Sequence, residues 1–323
     1  MNILIFGAGA IGSLYGGMLA YSGQNVHLVG RPHHMDAIAK NGLKIQIGDD
    51  EVISHPIPHI SIDEVEVPDF ILLTTKAYSI SEAVKSLRHF SNVPIIVLQN
   101  GLGNEDLVSE LLNSNKVLRA ITCNGAMIES PGIVRWTGKG NTEIGSNFPE
   151  MIEFGTRIVD IFRNAGFEMR WSDNVLGTVW LKAIANAAIN PISALTHLRN
   201  GELYSNKSIR HLMLDVIKES LQVARAVRID LPTNEPIRYV LGTLKRTGNN
   251  KSSMLQDIEA GKPTEIDFIN GAIVNIGQKF GIDAPINRIL TTLIKAKERS
   301  YLPSKASVVD LIRTEQLAYK EGF

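Results

Sequence analysis

The stretch "FGAGAIGSLYGGMLA", residues 6–20, decides how the N-terminal half of the chain is read. It grows directly out of "NILIF" (2–6), a short apolar run suited to a buried parallel strand. Gly7-Ala8-Gly9-Ala10-Ile11-Gly12 matches G-x-G-x-x-G, and "IGSLYGGMLAYSG" after it reads as a helix closing on Gly23 as a C-cap. Glycines are common, so the pattern alone says little. Strand, glycine turn and helix in that order are what a dinucleotide-binding turn needs. Gly7 then allows the tight turn, Gly9 the approach of a pyrophosphate, and Gly12 the packing of helix on strand, with the helix N-terminus facing the negative charge.

The next strand speaks to which dinucleotide. NAD sites place Asp or Glu about twenty residues past the glycines to hold the ribose 2′-hydroxyl. No acidic residue lies between Gly12 and Asp36, and the strand "NVHLVG" (25–30) runs into Arg31. A guanidinium there suits a 2′-phosphate, which favours NADP(H) over NAD(H). Otherwise Arg31 is a solvated loop residue.

Outward from this stretch, strands and helices alternate. "MDAIAKNG" (35–42) reads as a short helix, "LKIQIGDDEVISHP" (43–56) as a hairpin turning at Gly48–Asp50, "DFILLTTK" (69–76) and "VPIIVLQN" (93–100) as buried strands, and residues 79–90 and 104–113 as helices. This alternation predicts an α/β fold with an N-terminal Rossmann-type doubly wound parallel sheet. Residues 116–145 change to β-type runs with Gly and Pro turns, expected to complete the sheet as edge strands. Beyond about residue 173 helical periodicity dominates, in 174–190, 206–228, 235–246, 264–280 and 286–299. The expected organisation is therefore an NADP-binding Rossmann-like domain, 1–172, and an all-α substrate and catalytic domain, 173–323.

Composition sets outer limits. A chain of 323 residues with 44% hydrophobic and 20% charged residues can bury two cores, and its formal net charge of zero gives no basic face for nucleic acid or an anionic membrane. The single cysteine, Cys123, excludes an intrachain disulfide and fits a reducing, cytoplasmic setting. The N-terminal apolar run lacks a basic flank and is broken by glycines, so neither a signal peptide nor a membrane span is expected. His55 and His59 are four apart, but the prolines between them oppose the helix that would join their rings, so no metal site is expected.

Ligands of an open parallel sheet bind beyond the carboxyl ends of its strands, where Lys76 and Asn100 stand. In "NVLGTVWLKAIANAAIN" (174–190), Lys182, Asn186 and Asn190 follow one another at i, i+4 and i+8 along one face of a helix apolar nearly all round. Such a helix is buried, and three polar groups inside it require partners. Pro191 is expected to end it directly after Asn190. In residues 249–271, Ser252-Ser253 and Glu265 read locally as N-cap and first-turn residues of two helices.

Together, "GAGAIGSLYGGMLA", "LLTTKAY", "LQNGLGNED", "KAIANAAINPISALTHLRNGEL" and "SSMLQDIEAGKPTEIDFINGAIV" resemble the ketopantoate reductase family from end to end. That resemblance implies a Rossmann domain plus a helical domain with the active site between them. It implies NADPH-dependent reduction of 2-dehydropantoate (ketopantoate) to (R)-pantoate, in pantothenate and coenzyme A biosynthesis. It gives Lys182 the role of general acid, Glu265 that of an acid accompanying it and contacting the cofactor, and Asn186, Asn190, Asn200 and Ser253 the substrate. Lys76 and Asn100 would line the cofactor and substrate crevice, Arg31 would meet the 2′-phosphate, and Ala126 would make a weaker cofactor contact. Alternatives from the residues themselves are a reductase of another branched 2-keto acid, and a non-catalytic NADP(H)-binding sensor. The apolar helical half offers a candidate homodimer surface.

Overall fold

A computed structural model of the chain describes residues 1–301; the end of the helical half, 302–323, lies outside the described residues. The N-terminal part runs β1 (Asn2–Phe6), α1 (Ala10–Tyr21), β2 (Asn25–Val29), α2 (Pro32–Asn41), β3 (Leu43–Ile47), β4 (Asp50–Ser54), β5 (Ile57–His59), β6 (Phe70–Leu73), α3 (Ile80–Ser86), β7 (Ile95–Val97) and α4 (Asn104–Leu112). It continues with β8 (Val117–Thr122), β9 (Gly125–Ser130), β10 (Ile133–Gly138), β11 (Thr142–Gly145), α5 (Ile152–Asn164) and β12 (Met169–Trp171). Among the described residues only helices follow: α6 (Val175–Thr196), α7 (Asn200–Ser205), α8 (Lys207–Ala226), α9 (Pro236–Arg246), α10 (Ser253–Glu259), α11 (Asn270–Lys279) and α12 (Pro285–Arg299).

Eight strands form one sheet in the order β12-β11-β8-β7-β6-β1-β2-β5. From β5 to β8 every neighbour is parallel, β11 is antiparallel to β8, and β12 is parallel to β11. Strands β1, β6 and β7 have no exposed residue, as a parallel sheet covered on both faces requires. The chain leaves β1 toward β2 on one side and returns to β6 on the other. The switch point of this doubly wound sheet thus lies between β1 and β6, and its crevice opens beyond their carboxyl ends.

The expectation for 116–145 is met in part. Strands β8 and β11 complete the main sheet, but β9 and β10 leave it and join the hairpin β3–β4 in a second sheet, ordered β4-β3-β10-β9. Alternation explains the departure: Val134 and Trp136 of β10 are buried while Arg135 and Thr137 are exposed, a strand with one apolar face. That face packs with Leu43 and Ile45 of β3 against Leu14, Tyr15 and Met18 of α1. The glycine-rich helix is therefore covered on two sides, by the main sheet and by the small one. Strand β12, at three residues, is too short to show a period in sequence.

In the helical part, the expectation that Pro191 ends the long helix is corrected: α6 continues through it to Thr196 and closes at His197 in a left-handed conformation. Proline removes the N–H that would bond the carbonyl four residues back, which here belongs to Ala187. Asn270 of α11, fully buried, donates its Nδ2 to that carbonyl at 3.0 Å and to Asn287 Oδ1 at 3.0 Å. Asn287 in turn donates to Glu219 of α8 at 2.9 Å, and the same carboxylate accepts the N–H groups of Ile286 and Asn287 at the start of α12. A side chain thus replaces the lost backbone donor, and the helix survives its proline. The predicted 264–280 helix is likewise divided, into a 3₁₀ turn Ile266–Phe268 and α11. Helix α6 is long and apolar enough to cross a membrane by composition, but 16 of its 22 residues are buried in the protein.

Asn270→Ala is expected to destabilise the folded state by about 1–3 kcal/mol, because it orphans a buried carbonyl and breaks the link to Asn287. Urea denaturation would show it as a lowered midpoint with little change in slope.

Candidate active site

The glycine turn is built as its spacing demands. Gly7 has φ +112°, and a Cβ there would lie 2.5 Å from the Thr75 nitrogen; a Cβ at Gly12 would strike the Gly7 carbonyl and Thr74 Oγ1. Thr74 Oγ1 donates to that carbonyl at 2.8 Å, tying the ends of β1 and β6 together at the switch point. Gly9 differs: it is exposed, and a Cβ built on it meets nothing within 4 Å. Ser13 N–H is bonded to the Gly9 carbonyl at 2.8 Å, which leaves the N–H groups of Ala10, Ile11 and Gly12 at the open end of α1. The first turn of α1 holds no acidic side chain. Ala8 is buried and Ile11 packs on the N-terminal core, so both act through backbone and packing. An open approach at Gly9 and unfilled N–H donors at a helix start fit a pyrophosphate.

Beyond β6, Lys76 reaches across to the helical part. Its Nζ lies 2.7 Å from Asp257 Oδ2 on α10 and 3.7 Å from Glu265 Oε2. Burial pulls the Lys76 pKa down, but Glu265 and Asp257 together more than offset that and raise it above 10.5. Asp257 is pushed up by burial against the pull of Lys76. Glu265, 5% exposed, also accepts the Ala77 N–H at 3.2 Å and Asn100 Nδ2 at 3.1 Å. The residues ending β6 and β7 thus meet one carboxylate from the other half of the chain. Arg31 stands exposed at the end of β2, just before α2. The Tyr78 phenol is pushed up by burial, with the cations Lys76 and Arg31 pulling it down and the carboxylates Asp257 and Glu265 adding to the rise.

Helix α6 supplies the third wall. Lys182 is its only charged side chain, and Nζ donates to the Thr122 carbonyl at the end of β8, at 2.6 Å. Burial lowers the Lys182 pKa below 10.5; Arg119 adds to this, while Cys123 and Glu265 oppose it. Lys182 and Asn186 are half-buried where the residues between them are buried, so the middle of the helix opens on this stripe. One turn before, Thr178 donates to Glu143 Oε2 at 2.9 Å; one turn after Asn186, Asn190 Nδ2 lies 3.5 Å from Ser253 Oγ on α10. Of the two serines, Ser252 is the N-cap, accepting the Leu255 N–H at 3.1 Å, which frees Ser253 to face Asn190.

Two of the expected residues stand apart from this cluster. Asn200, buried at the start of α7, donates to Thr247 Oγ1 at 2.8 Å and bonds the Asn250 carbonyl through its N–H, tying α7 to the turn before α10. Ala126 lies on β9, paired with Trp136 and half-buried against the N-terminal core. Sequence reading missed Asp257, although it follows Ser253 at i+4 on the same short helix. It also missed the Thr122 carbonyl, which no residue type announces, and Arg119.

The geometry is that of a crevice between a dinucleotide-binding sheet and a helical wall carrying one lysine, and comparison with known proteins agrees. Residues 3–148 match the family model "Ketopantoate reductase PanE/ApbA", and residues 174–298 match "Ketopantoate reductase PanE/ApbA C terminal". The chain is 42% identical to the 2-dehydropantoate 2-reductase of Pyrococcus abyssi over 92% of this chain and 98% of that protein. It is 33% identical to that of Archaeoglobus fulgidus, with the same coverage. The structure is similar to that of a PanE/ApbA family ketopantoate reductase from Ralstonia eutropha JMP134, with a TM-score of 0.87 and 33% identity over 93% of this chain and 99% of that one. It is similar as well to a D-mandelate dehydrogenase solved with NADH and anilino(oxo)acetate, with a TM-score of 0.88 and 29% identity over 93% and 99% of the two chains. With both halves matched, and the glycine turn, the Lys76–Glu265 bridge and the Lys182 helix facing one crevice, the chain belongs to the ketopantoate reductase family.

Proposed function

We propose that this chain catalyses the NADPH-dependent reduction of 2-dehydropantoate to (R)-pantoate, a cytoplasmic step of pantothenate and coenzyme A biosynthesis. The observation that carries it is Lys182, the one cation of an otherwise uncharged helix, held at the crevice by a carbonyl of the dinucleotide-binding sheet. A binding protein has no need of a half-buried proton donor there. The relatives named 2-dehydropantoate 2-reductase supply the substrate, and the family's NAD(P)H dependence supplies the reductant.

In this reading residues 1–172 hold the cofactor and 173–323 bring the substrate to it. Gly7 to Gly12 take the pyrophosphate, Arg31 the 2′-phosphate, and Lys76, Asn100, Ala126 and Glu265 line the remainder. NADPH, when bound, supplies the hydride. As the 2-keto carbon is reduced, its oxygen gains negative charge, which the Lys182 ammonium stabilises and then protonates. Burial eases that transfer by lowering the lysine's hold on its proton. Asn186, Asn190 and Ser253 grip the substrate's hydroxyl and carboxylate and orient the keto carbon, while Asn200 acts from behind them by holding α7 to the turn before α10. Glu265 balances the cationic side of the site.

The likeness to D-mandelate dehydrogenase favours one second reading, a reductase of another branched or bulkier 2-keto acid. The deciding experiment follows NADPH absorbance with 2-dehydropantoate beside a panel of 2-keto acids. Strong preference for 2-dehydropantoate is expected; faster turnover of another acid replaces the substrate, and binding of NADPH without turnover on any of them overturns the reductase.

Lys182→Ala is expected to lower turnover by about 10²–10⁴-fold while sparing NADPH affinity. Because the acid must carry its proton, kcat/KM for reduction should fall as pH rises, with a midpoint below the 10.5 of an unperturbed lysine. Arg31→Ala should weaken NADPH binding about 10-fold and leave NADH binding unchanged, as read by titration with both cofactors.

A further inference from the structure

Among the described residues Arg119 is the largest of the fully buried side chains, and no part of the reaction as described uses it. It sits on β8, level with Val97 of β7. Its Nη1 donates to the Val97 carbonyl at 3.0 Å, and its Nη2 to the carbonyls of Gln99 at 2.7 Å and Gly101 at 3.0 Å. Its Nε faces Glu105 Oε2 of α4 at 3.2 Å. The segment it grips runs out of β7 at Val97 and stays buried at Leu98, Gln99, Gly101 and Leu102, so the carbonyls past the strand end need a donor from a side chain. Only a guanidinium offers enough donors in one plane to serve three carbonyls while setting its charge beside a carboxylate.

Between two of those carbonyls stands Asn100. Its own carbonyl accepts Asn104 Nδ2 at 2.8 Å, and its Nδ2 donates to Glu265. On the far side, Leu102 N–H bonds the Phe268 carbonyl at 2.9 Å, and Gly101, at φ +99°, lets the chain pass against Phe268 where a Cβ would collide. A buried ion pair such as Arg119–Glu105 is a weak source of stability, since desolvation cancels much of its attraction. Its value here is placement.

We propose that Arg119 is a positioning residue of this enzyme, which fixes the 97–101 segment so that Asn100 is presented to Glu265 and to the crevice. The proposal rests on the reading of Asn100 as a cofactor- and substrate-facing residue.

The test is a double-mutant cycle of wild type, Arg119→Lys, Asn100→Ala and the double variant, read as NADPH dissociation constant by fluorescence titration and as kcat/KM. Arg119→Lys keeps the charge and loses the fork. It is expected to worsen one or both quantities by roughly 10–100-fold in the wild-type background, and by less than about 3-fold once Asn100 is alanine. Glu105→Gln, an isosteric change that loosens Arg119 from its anchor, should repeat the pattern and stands in if Arg119→Lys does not fold. Additive losses in both quantities, as general weakening of the structure would give, or no loss at all, overturn the proposal. The binding cycle needs no turnover, so a wild type that reduces no 2-keto acid fails the reductase reading and leaves Arg119 to be judged on affinity alone.

Discussion

The carboxylate of Glu265 holds the two halves of the molecule in register. It is buried, and a buried carboxylate is tolerable only where donors reach it. Two donors and a cation meet it from the N-terminal half: the Ala77 N–H and Asn100 Nδ2 donate to it, and the Lys76 ammonium lies 3.7 Å away as an ion pair. Their elements leave the carboxyl ends of adjacent strands, β6 and β7, so the sheet delivers them side by side. Asp257 adds a second carboxylate on Lys76 from α10. Sheet and helical wall are thereby tied to one another across the carboxyl ends of β6 and β7.

Opposite this bridge, α6 resolves a conflict between packing and chemistry. A helix that backs a crevice must be apolar to hold its place in the core, yet it must show polar atoms to a substrate. Placing Thr178, Lys182, Asn186 and Asn190 at four-residue intervals confines the polar atoms to one stripe. The apolar remainder packs into the helical core with α8, α11 and α12 residues. Even the proline within α6 is absorbed, because Asn270 answers the Ala187 carbonyl from outside the helix. The chain that continues through Asn270, Asn287 and Glu219 makes the wall stiff behind the lysine. Such a backing suits the proton transfer proposed for Lys182, which tolerates little misplacement.

Much of the fold was legible because it is local. Strand, glycine turn and helix at residues 2–23, the alternation through 113 and the hairpin turning at Gly48 all depend on neighbours within a few positions. The exit of β9 and β10 from the main sheet was not legible, since the parallel pairing of β3 with β10 joins Ile45 to Val134 across most of a domain. Glu265 shows the same division within the site. By itself it reads as an acid at the start of a helix, and its buried meeting with Ala77 and Asn100 exists only once two strands and the 3₁₀ turn are packed together.

What the amino-acid order determined by itself was therefore periodicity and turn chemistry: a Rossmann-type half, a helical half, a dinucleotide turn, and a lysine with two asparagines on one face of an apolar helix. Tertiary structure alone decided which carboxylates answer Lys76, which carbonyl holds Lys182, and that Arg119 grips the segment bearing Asn100. The physical reason is reach. Helix and turn preferences are written into residues a few positions apart, whereas a buried ion pair or a carbonyl acceptor is chosen by sheet order and domain packing, between residues that sequence spacing never brings near.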